Sequence, residues 1–262
     1  MNSEKVASHV VNWLQSYAQK SGVKGFVVGV SGGIDSAVTS TLCAKTGFPT
    51  ICVEMPIHQD ANQVSRALEH IEQLKGRYPN VSSVRTDLTA PFETFQKAVP
   101  ASESTGLKAL VLANTRARMR MTSLYYIAGM HSSLVVGTGN KVEDFGVGFY
   151  TKYGDGGVDV SPIADLLKSE VFALAAVLGV PDSIQKAAPT DGLFGDSRTD
   201  EDQLGASYDE LEWAMKMQNA GKHNTVFSDR EKEVYEIYIR LNEANQHKMQ
   251  PIPVCKIPAH LK

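Results

Sequence analysis

The stretch Gly25 to Ser36, GFVVGVSGGIDS, passes from an apolar run into a glycine-rich loop and then into a helix. Phe26 to Val30 is apolar or small at every position, which is typical of a parallel strand covered on both faces. Ser31, Gly32 and Gly33 allow a tight turn whose backbone N–H groups converge on an anion, and the following helix adds its positive dipole end. The sequence therefore predicts a pyrophosphate-binding loop, with a plain strand-to-helix turn as the alternative.

On either side of this loop, the spacing of apolar residues alternates along the chain between the period of a strand and that of a helix. Strands are predicted at 49–54, 81–87 and 133–136, and helices at 4–20, 36–45, 59–75, 88–99, 107–129, 207–217 and 229–246. This alternation predicts an α/β fold, a doubly wound, mostly parallel sheet with helices on both faces. With 262 residues, the chain can bury one large core, so we expect a single domain over 1–262.

Doubly wound sheets bind ligands at the carboxyl ends of their strands, where the strand order reverses. The loops at 31, 55, 87 and 137 should therefore share one face, and that face should hold the active site. The acidic run 196–202 lies between glycines and is typical of a solvated loop rather than a metal cage.

Composition argues against several classes of partner. The chain has 26 basic and 29 acidic residues, so we predict neither a nucleic-acid partner nor a membrane surface. Cys43, Cys52 and Cys255 form no C-x-x-C pair, and the first two lie in apolar settings typical of reduced core thiols. The amphipathic N-terminus carries Glu4 and is unlike a signal peptide. We expect a cytoplasmic protein.

The helix predicted at 107–129 carries three arginines with different surroundings. At 100° per residue, Arg118 shares an apolar stripe with Leu110 and Tyr125, whereas Arg116 and Arg120 point the opposite way. An arginine among buried residues needs an anion, so Arg118 is a candidate ligand contact, with a structural ion pair as the alternative. Arg116 and Arg120 are interpreted as a solvated face.

The segment after the strand at 133–136 supplies further polar candidates. It begins GTGNKVED at 137–144 and includes Glu143, which lies on a different strand-end loop from Asp35. Two carboxylates brought together by the fold can hold Mg²⁺, a hard cation that prefers oxygen ligands. Lys168 follows Ser161 and Pro162, which predict an N-cap and first residue of a helix. From that helix its ammonium can reach phosphate, although an ordinary surface lysine is the alternative.

These motifs resemble known families. SGGIDS at 31–36 resembles the pyrophosphate-binding loop of the N-type ATP pyrophosphatases, the adenine nucleotide alpha-hydrolase-like fold. GTGN followed by a glutamate, then TKYGDGG, PIADLLK and a PT before TDED, is similar to the NAD synthetases. The resemblance extends from the first strand to His247 and Lys248.

The resemblance implies roles for individual residues. Asp35, Glu143 and Lys168 would be catalytic, and Asp35 with Glu143 would ligate Mg²⁺. ATP would be bound by Gly29, Val30, Ser31, Gly32, Gly33, Ile34, Asp35, Ser36, Thr138, Lys168 and Thr190. Nicotinic acid adenine dinucleotide would be bound by Arg118, Lys152, Asp159, His247 and Lys248. This chain has one residue more than many members between the glutamate and TKYGDGG, so Asp144 is the alternative metal ligand.

The implied activity is that of a ligase forming a C–N bond. ATP would adenylate the nicotinate carboxylate of nicotinic acid adenine dinucleotide, and ammonia would displace AMP to give NAD, the last step of NAD biosynthesis. Ammonia is expected as the donor because the chain lacks an N-terminal cysteine and room for a glutamine-hydrolysing domain. The alternatives are another enzyme with this loop, such as a GMP, asparagine or tRNA-modifying synthetase, and a non-catalytic adenine-nucleotide-binding regulator.

The sequence also predicts a homodimer. The helix at 107–129 carries more apolar residues than one face against a sheet would use, and the N-terminal helix adds Trp13. Self-association is the simplest way to bury this surplus. The dinucleotide acid would then lie at or across the subunit interface.

Overall fold

A parallel four-stranded sheet forms the centre of the fold. The computed structural model describes residues 1–100, 104–190, 199–222 and 227–262. The strands are β1 (Gly25–Gly29), β2 (Thr50–Glu54), β3 (Val81–Arg85) and β4 (Ser133–Val136). The helices are α1 (Ser3–Ser21), α2 (Ile34–Lys45), α3 (Ala61–Arg77), α4 (Thr89–Ala98), α5 (Thr105–His131), a π-helix (Val142–Val147), α6 (Lys168–Leu178), α7 (Asp182–Gln185), α8 (Asp200–Leu204), α9 (Tyr208–Asn219), α10 (Asp229–Met249) and a 3₁₀ turn (Ala259–Leu261).

The strand order is β3-β2-β1-β4, and all three pairings are parallel. Phe26 of β1 lies beside Thr50 of β2 and Leu134 of β4. The order therefore reverses between β1 and β4, which confirms the predicted doubly wound sheet. It also places the loops after β1 and β4 on either side of the switch point, where such sheets bind ligands.

Helices cover both faces of the sheet. Val27, Ile51 and Val135 point to one face and pack with residues of α4 and α5. Phe26 and Val28 point to the other face and pack with α1, α2 and α6, while Cys52 packs with α3. Successive residues of β1 are thus buried in the cores on opposite faces of the sheet. This is why the strand is apolar at every position rather than at alternate ones.

A smaller helical layer packs beside the sheet. The π-helix, α8, α9 and α10 share a separate apolar cluster that includes Val142, Leu211 and Tyr238. The predicted helices at 207–217 and 229–246 correspond to α9 and α10, and α8 occupies the end of the acidic run 196–202. Residues 196–198 lie outside the described part of the chain.

Two expectations about the 137–168 region are wrong. The glycine-rich segment contains a π-helix, and α6 begins at Lys168 rather than near Ser161 and Pro162. The cause is non-local, because the Leu166 carbonyl accepts the Lys141 N–H at 2.8 Å and ties this stretch to the loop after β4. Leu167 caps α6 instead, and its N–H donates to Glu170 Oε2 at 2.9 Å.

The predicted apolar stripe of α5 is also largely exposed in the single chain. Leu107 is 55% exposed and Leu110 is 49% exposed, whereas the small residues Ala113 and Ala117 are buried. The first half of the helix thus meets its own chain through small side chains, whereas in the second half Ile127 packs on the sheet.

All three cysteines are free, with Cys43 and Cys52 buried in the core as predicted and Cys255 exposed. Among the described helices, none combines the length and the hydropathy that a membrane span requires.

Candidate active site

The loop between β1 and α2 holds its shape through its own serines. Ser36 Oγ accepts the Ser31 N–H at 3.2 Å and donates to the Gly33 carbonyl at 2.9 Å. Gly32 has φ of 83°, and a Cβ at this position would lie 2.4 Å from the Gln63 carbonyl oxygen of α3. Glycine is thus required at 32 by both backbone conformation and space. The resulting turn at the N-terminus of α2 is the anion-binding geometry that the sequence predicts.

A cavity of about 270 Å³ opens at the carboxyl ends of β1, β2 and β4. Every residue predicted to bind ATP lines it, namely Gly29, Val30, Ser31, Gly32, Gly33, Ile34, Asp35, Ser36, Thr138, Lys168 and Thr190. Glu143 and Asp144 also line it. The topology has therefore brought together segments that lie more than 150 residues apart.

Lys168 joins the two predicted catalytic carboxylates. Its Nζ lies 2.6 Å from Asp35 Oδ2 and 2.9 Å from Glu143 Oε1, and the residue is only 2% exposed. Burial acts to lower the pKa of Lys168, but the two carboxylates outweigh it and raise that pKa. The ammonium is therefore held charged, and Lys168 is not the surface lysine that was the alternative.

The two carboxylates differ in their proton affinity. Burial raises the pKa of Asp35, and the attraction of Lys168 only partly offsets it. Burial also acts to raise the pKa of Glu143, but Lys168 and the hydroxyl of Tyr208 outweigh it and lower that pKa. Glu143 is thus the more firmly ionised partner.

Glu143 and Asp144 lie in the first turn of the π-helix. Its i→i+5 bond runs from the Gly148 N–H to the Glu143 carbonyl, and such a turn takes in one more residue than an α-helical turn. Glu143 meets Lys168, whereas Asp144 lies against Gly139, where a Cβ would come within 2.2 Å of its carboxylate oxygens. Burial and the nearby Glu143 raise the pKa of Asp144 well above its usual value. The geometry favours Glu143 over Asp144 as partner of Asp35.

This pair of carboxylates fits a magnesium ion. Asp35 Oδ2 and Glu143 Oε1 converge on one point, where they already hold a cation, the Lys168 ammonium. Within the described residues, no group of three or more His, Cys, Asp and Glu side chains forms a metal cage. Two carboxylates completed by substrate phosphates and water are the usual magnesium environment in nucleotide enzymes.

Sequence reasoning missed two residues that position these carboxylates. Asn140 is fully buried, donates to Asp35 Oδ1 at 3.0 Å and accepts the Val142 and Glu143 N–H groups at 3.1 Å each. Tyr208 donates its hydroxyl to Glu143 Oε1 at 2.6 Å. Asn140 lies within the GTGN motif and could have been identified, whereas no local signal points from Tyr208 to Glu143.

Asp155, in the YGDGG segment, is a third residue that was missed. It lines the cavity, and its Oδ1 accepts the Thr151 N–H at 2.9 Å. The residue is open to the cavity, yet protein atoms crowd its carboxylate, and this burial raises its pKa to about 6.

The surroundings expected for the arginines on α5 are reversed, whereas the role of Arg118 as a dinucleotide contact stays a prediction. Arg118 is exposed, and it forms no salt bridge with the described residues. Arg120 lines the cavity, where its Nε donates to the Met55 carbonyl at 3.0 Å and its Nη2 to Gln59 Oε1 at 2.8 Å. The guanidinium of Arg116 stacks 4.4 Å from the centre of the Phe92 ring. Arg116 and Arg120 are thus half-buried rather than solvated.

The residues predicted to bind the dinucleotide lie outside the wall of this cavity. Arg118 donates from Nε and Nη2 to the Lys152 carbonyl at 3.3 Å, and the Lys152 ammonium donates to the His247 carbonyl. Lys248 donates to the Gly148 and Tyr150 carbonyls. These four residues therefore connect α5, the glycine-rich segment and the end of α10.

Asp159, the fifth residue predicted to bind the dinucleotide, has hydrogen-bond partners of its own. Its carboxylate accepts the Tyr125 hydroxyl at 2.9 Å and the Val135 N–H at 2.8 Å.

Comparison with known proteins shows which family the chain belongs to. The profile of the NAD synthase family matches residues 6–252. An NH(3)-dependent NAD(+) synthetase of Mesoplasma florum is 40% identical over 81% of this chain and 84% of its own. One of Methanosarcina mazei is 35% identical over 97% of this chain and 98% of its own.

Two solved structures are similar along nearly the whole chain. The NMN synthetase from Francisella tularensis is 30% identical, with a TM-score of 0.82 and 99% of both chains covered. The NH3-dependent NAD synthetase from Campylobacter jejuni is 25% identical, with a TM-score of 0.78, over 98% of this chain and all of that one. With the phosphate loop, its paired carboxylates and these matches in hand, we conclude that the chain belongs to the NAD synthase family.

Proposed function

We propose that this protein amidates nicotinic acid adenine dinucleotide to NAD, using ATP and ammonia and releasing AMP and pyrophosphate. The observation that carries the proposal is the Asp35–Lys168–Glu143 cluster beside the phosphate loop. A passive nucleotide-binding regulator needs no second carboxylate across the cavity, so this cluster favours catalysis. A single domain and a cytoplasmic location remain predictions from the sequence.

In the first step, an oxygen of the nicotinate carboxylate attacks the α-phosphorus of ATP. The bond from that phosphorus to the bridging oxygen breaks, and pyrophosphate leaves with the electron pair. The N–H groups after β1, the N-terminal dipole of α2 and the Lys168 ammonium stabilise the charge that develops there. Asp35 and Glu143 would hold Mg²⁺, which supplies further positive charge to the phosphate oxygens when it is bound.

In the second step, ammonia attacks the carboxyl carbon of the adenylated acid. The bond from that carbon to the phosphate oxygen of AMP breaks, AMP leaves with the electron pair, and the amide nitrogen releases one proton to the solvent. No protein nucleophile is required, so the enzyme acts by holding the two substrates in line and stabilising charge. Lys168 suits this role because its buried stem and its two carboxylate partners fix the position of its ammonium.

The dinucleotide acid is assigned to the region around Arg118, Lys152 and His247, at the exposed side of α5. Leu107, Leu110 and Tyr125, which share one side of that helix, are 55%, 49% and 37% exposed in the single chain. Large apolar side chains in one exposed row are typical of an interface between subunits. We therefore propose a homodimer whose interface adjoins the dinucleotide site.

A second candidate is amidation of the corresponding mononucleotide acid to NMN. The similarity to the NMN synthetase from Francisella tularensis, with a TM-score of 0.82, favours testing it. Both acids carry the same nicotinate carboxylate, so the chemistry at the phosphate loop is identical for the two.

The test is product analysis with ATP, Mg²⁺, ammonium and each acid in turn. Equal amounts of NAD, AMP and pyrophosphate from the dinucleotide acid, at a higher kcat/KM than with the mononucleotide acid, would support the proposal. Asp35→Asn, which keeps the side-chain shape, serves as the inactive control. Pyrophosphate release without either amide would overturn it.

A further inference from the structure

A buried histidine contacts the helix that follows the phosphate loop, and the mechanism above does not use it. His70 of α3 is 0% exposed, and its Nε2 lies 2.9 Å from Ser40 Oγ of α2. Ser40 Oγ donates to the Ser36 carbonyl at 2.7 Å, with the Ala37 carbonyl at 3.2 Å. Because the Ser40 hydrogen is committed to these carbonyls, Ser40 Oγ accepts from His70. His70 Nε2 therefore carries a hydrogen.

The surroundings of the other ring nitrogen are different. His70 Nδ1 is buried and accepts no hydrogen bond from the described residues. Burial, with a smaller effect of Arg77, lowers the pKa of His70 to about 4, so the ring is neutral at physiological pH. An unpaired buried nitrogen is destabilising, so an apolar side chain of similar size would serve a purely structural role better. The imidazole therefore needs a reason beyond filling space.

Ser40 leads directly to the phosphate loop. Ser36, whose carbonyl accepts from Ser40, also holds the Ser31 N–H at 3.2 Å and the Gly33 carbonyl at 2.9 Å through its own hydroxyl. A continuous series of hydrogen bonds thus runs from His70 through Ser40 and Ser36 to the loop.

The same helix contacts the loop at a second point. Arg66 Nε donates to the Gly32 carbonyl at 3.3 Å, and Gly32 packs against the Gln63 carbonyl of α3. One face of α3 therefore supports both the turn of the loop and, through His70, the start of α2. Both supports of the loop therefore belong to one helix.

We propose that His70 is a positioning residue for ATP: its neutral imidazole donates to Ser40 and so fixes the first turn of α2 and the loop N–H groups. The inference rests on the proposed function only in taking ATP as the ligand of this loop. It assigns no catalytic role to the ring, which touches no substrate.

The test compares His70→Leu, which removes the donor, with His70→Gln, whose amide N–H can replace Nε2. Ile71→Val, a change at a buried neighbour on the same helix, is the control for core packing. We expect His70→Leu to raise the KM for ATP about fivefold to tenfold, the effect of losing one hydrogen bond, with the KM for the dinucleotide acid unchanged. His70→Gln should restore most of the ATP affinity, and Ile71→Val should leave both KM values at the wild-type level.

Calorimetric titration of ATP and Mg²⁺ into each variant makes the result independent of the amidation reaction. Weaker ATP binding by His70→Leu would support the inference even if the acid substrate is wrongly assigned. A wild-type protein that forms no amide would contradict the proposed function but not the role of His70. Unchanged ATP affinity in His70→Leu, or an equal rise in both KM values, would overturn the inference. If His70→Leu does not fold, Ser40→Ala tests the same bond and must weaken ATP binding.

Discussion

The ammonium nitrogen of Lys168 lies 2.6 Å from Asp35 Oδ2, although 133 residues separate the two in the chain. The same nitrogen lies 2.9 Å from Glu143 Oε1. One side chain at the start of α6 therefore joins the loop after β1 to the segment after β4. This contact links the two sides of the switch point of the sheet. Its removal should therefore lower both the stability of the fold and the rate of catalysis.

Lys168→Met should leave two buried carboxylates without their cation. We expect a loss of about 3–5 kcal/mol in the free energy of unfolding at pH 7 and a fall of at least about 10²-fold in pyrophosphate release. Urea unfolding and a pyrophosphate assay measure the two effects. Lys186→Met is the matched control, because its ion pair with Asp182 is 77% exposed on both sides and should change stability by less than about 1 kcal/mol. A Lys168→Met protein as stable as wild type would contradict the role of this contact.

Tyr208→Phe should remove the hydroxyl that donates to Glu143. A hydrogen bond to a charged group contributes about 1.5–3 kcal/mol, so the variant should lose that much stability at pH 7. The pKa of Glu143 is lowered in the folded protein, so this contribution is present at neutral pH and is lost as the pH falls and Glu143 takes a proton.

The difference between wild type and Tyr208→Phe should thus shrink on acidification, as measured by unfolding at several pH values. Tyr17→Phe, at an exposed position of α1, is the control and should match wild type throughout. A difference that stays constant with pH would argue against the bond to an ionised Glu143.

Because of His70, the free energy of unfolding should decrease in mild acid. Its pKa falls from 6.5 to about 4 on folding, so between these values the unfolded chain binds a proton that the folded protein does not. The free energy of unfolding should therefore fall as the pH falls through this window, by up to about 3 kcal/mol. His70→Gln cannot titrate and should show a flatter profile in urea unfolding from pH 7 to pH 4. Parallel profiles for the two proteins would count against the buried neutral ring.

Arg118 and Arg120 offer a matched pair on one helix. Arg120→Ala should raise the KM for ATP about tenfold or more, because it removes the guanidinium that holds Met55 and Gln59 in the cavity wall. Arg118→Ala should instead raise the KM for the dinucleotide acid and leave that for ATP nearly unchanged. Steady-state kinetics with one substrate varied at a time separates the two. Equal effects of both variants on both substrates would show that neither assignment is right.

The exposed side of α5 should form the dimer interface. Leu110→Glu places a charge among apolar side chains, and we expect it to yield monomers at micromolar concentration in sedimentation velocity, with dinucleotide binding weakened. Val177→Glu, at an equally exposed apolar position on α6, should remain dimeric. Leu110→Glu that stays dimeric, or a wild-type protein that is an active monomer, would refute the proposed assembly.

The sequence by itself determined the features that depend on neighbouring residues. The unbroken apolar run Phe26 to Val30 predicts a central strand, the glycines after it predict the phosphate loop, and Ser133 to Val136 matches β4 residue for residue. The rule that parallel strands present their carboxyl ends to one face then places Asp35, Glu143 and Thr138 together, and all three line one cavity.

Only the tertiary structure decided which side chains meet within that site. The direction of the α5 arginines could not be read from periodicity, because the apolar stripe at Leu107 and Leu110 points outward, whereas Ile127 and Ala128 are the residues that pack on the sheet. Tyr208 and Asn140 lie 65 and 105 residues from the carboxylates they hold, and α6 starts at Lys168 because Leu166 bonds to a distant loop. Such bonds leave no local pattern, since their geometry is fixed by how whole layers pack rather than by the conformation of any one segment.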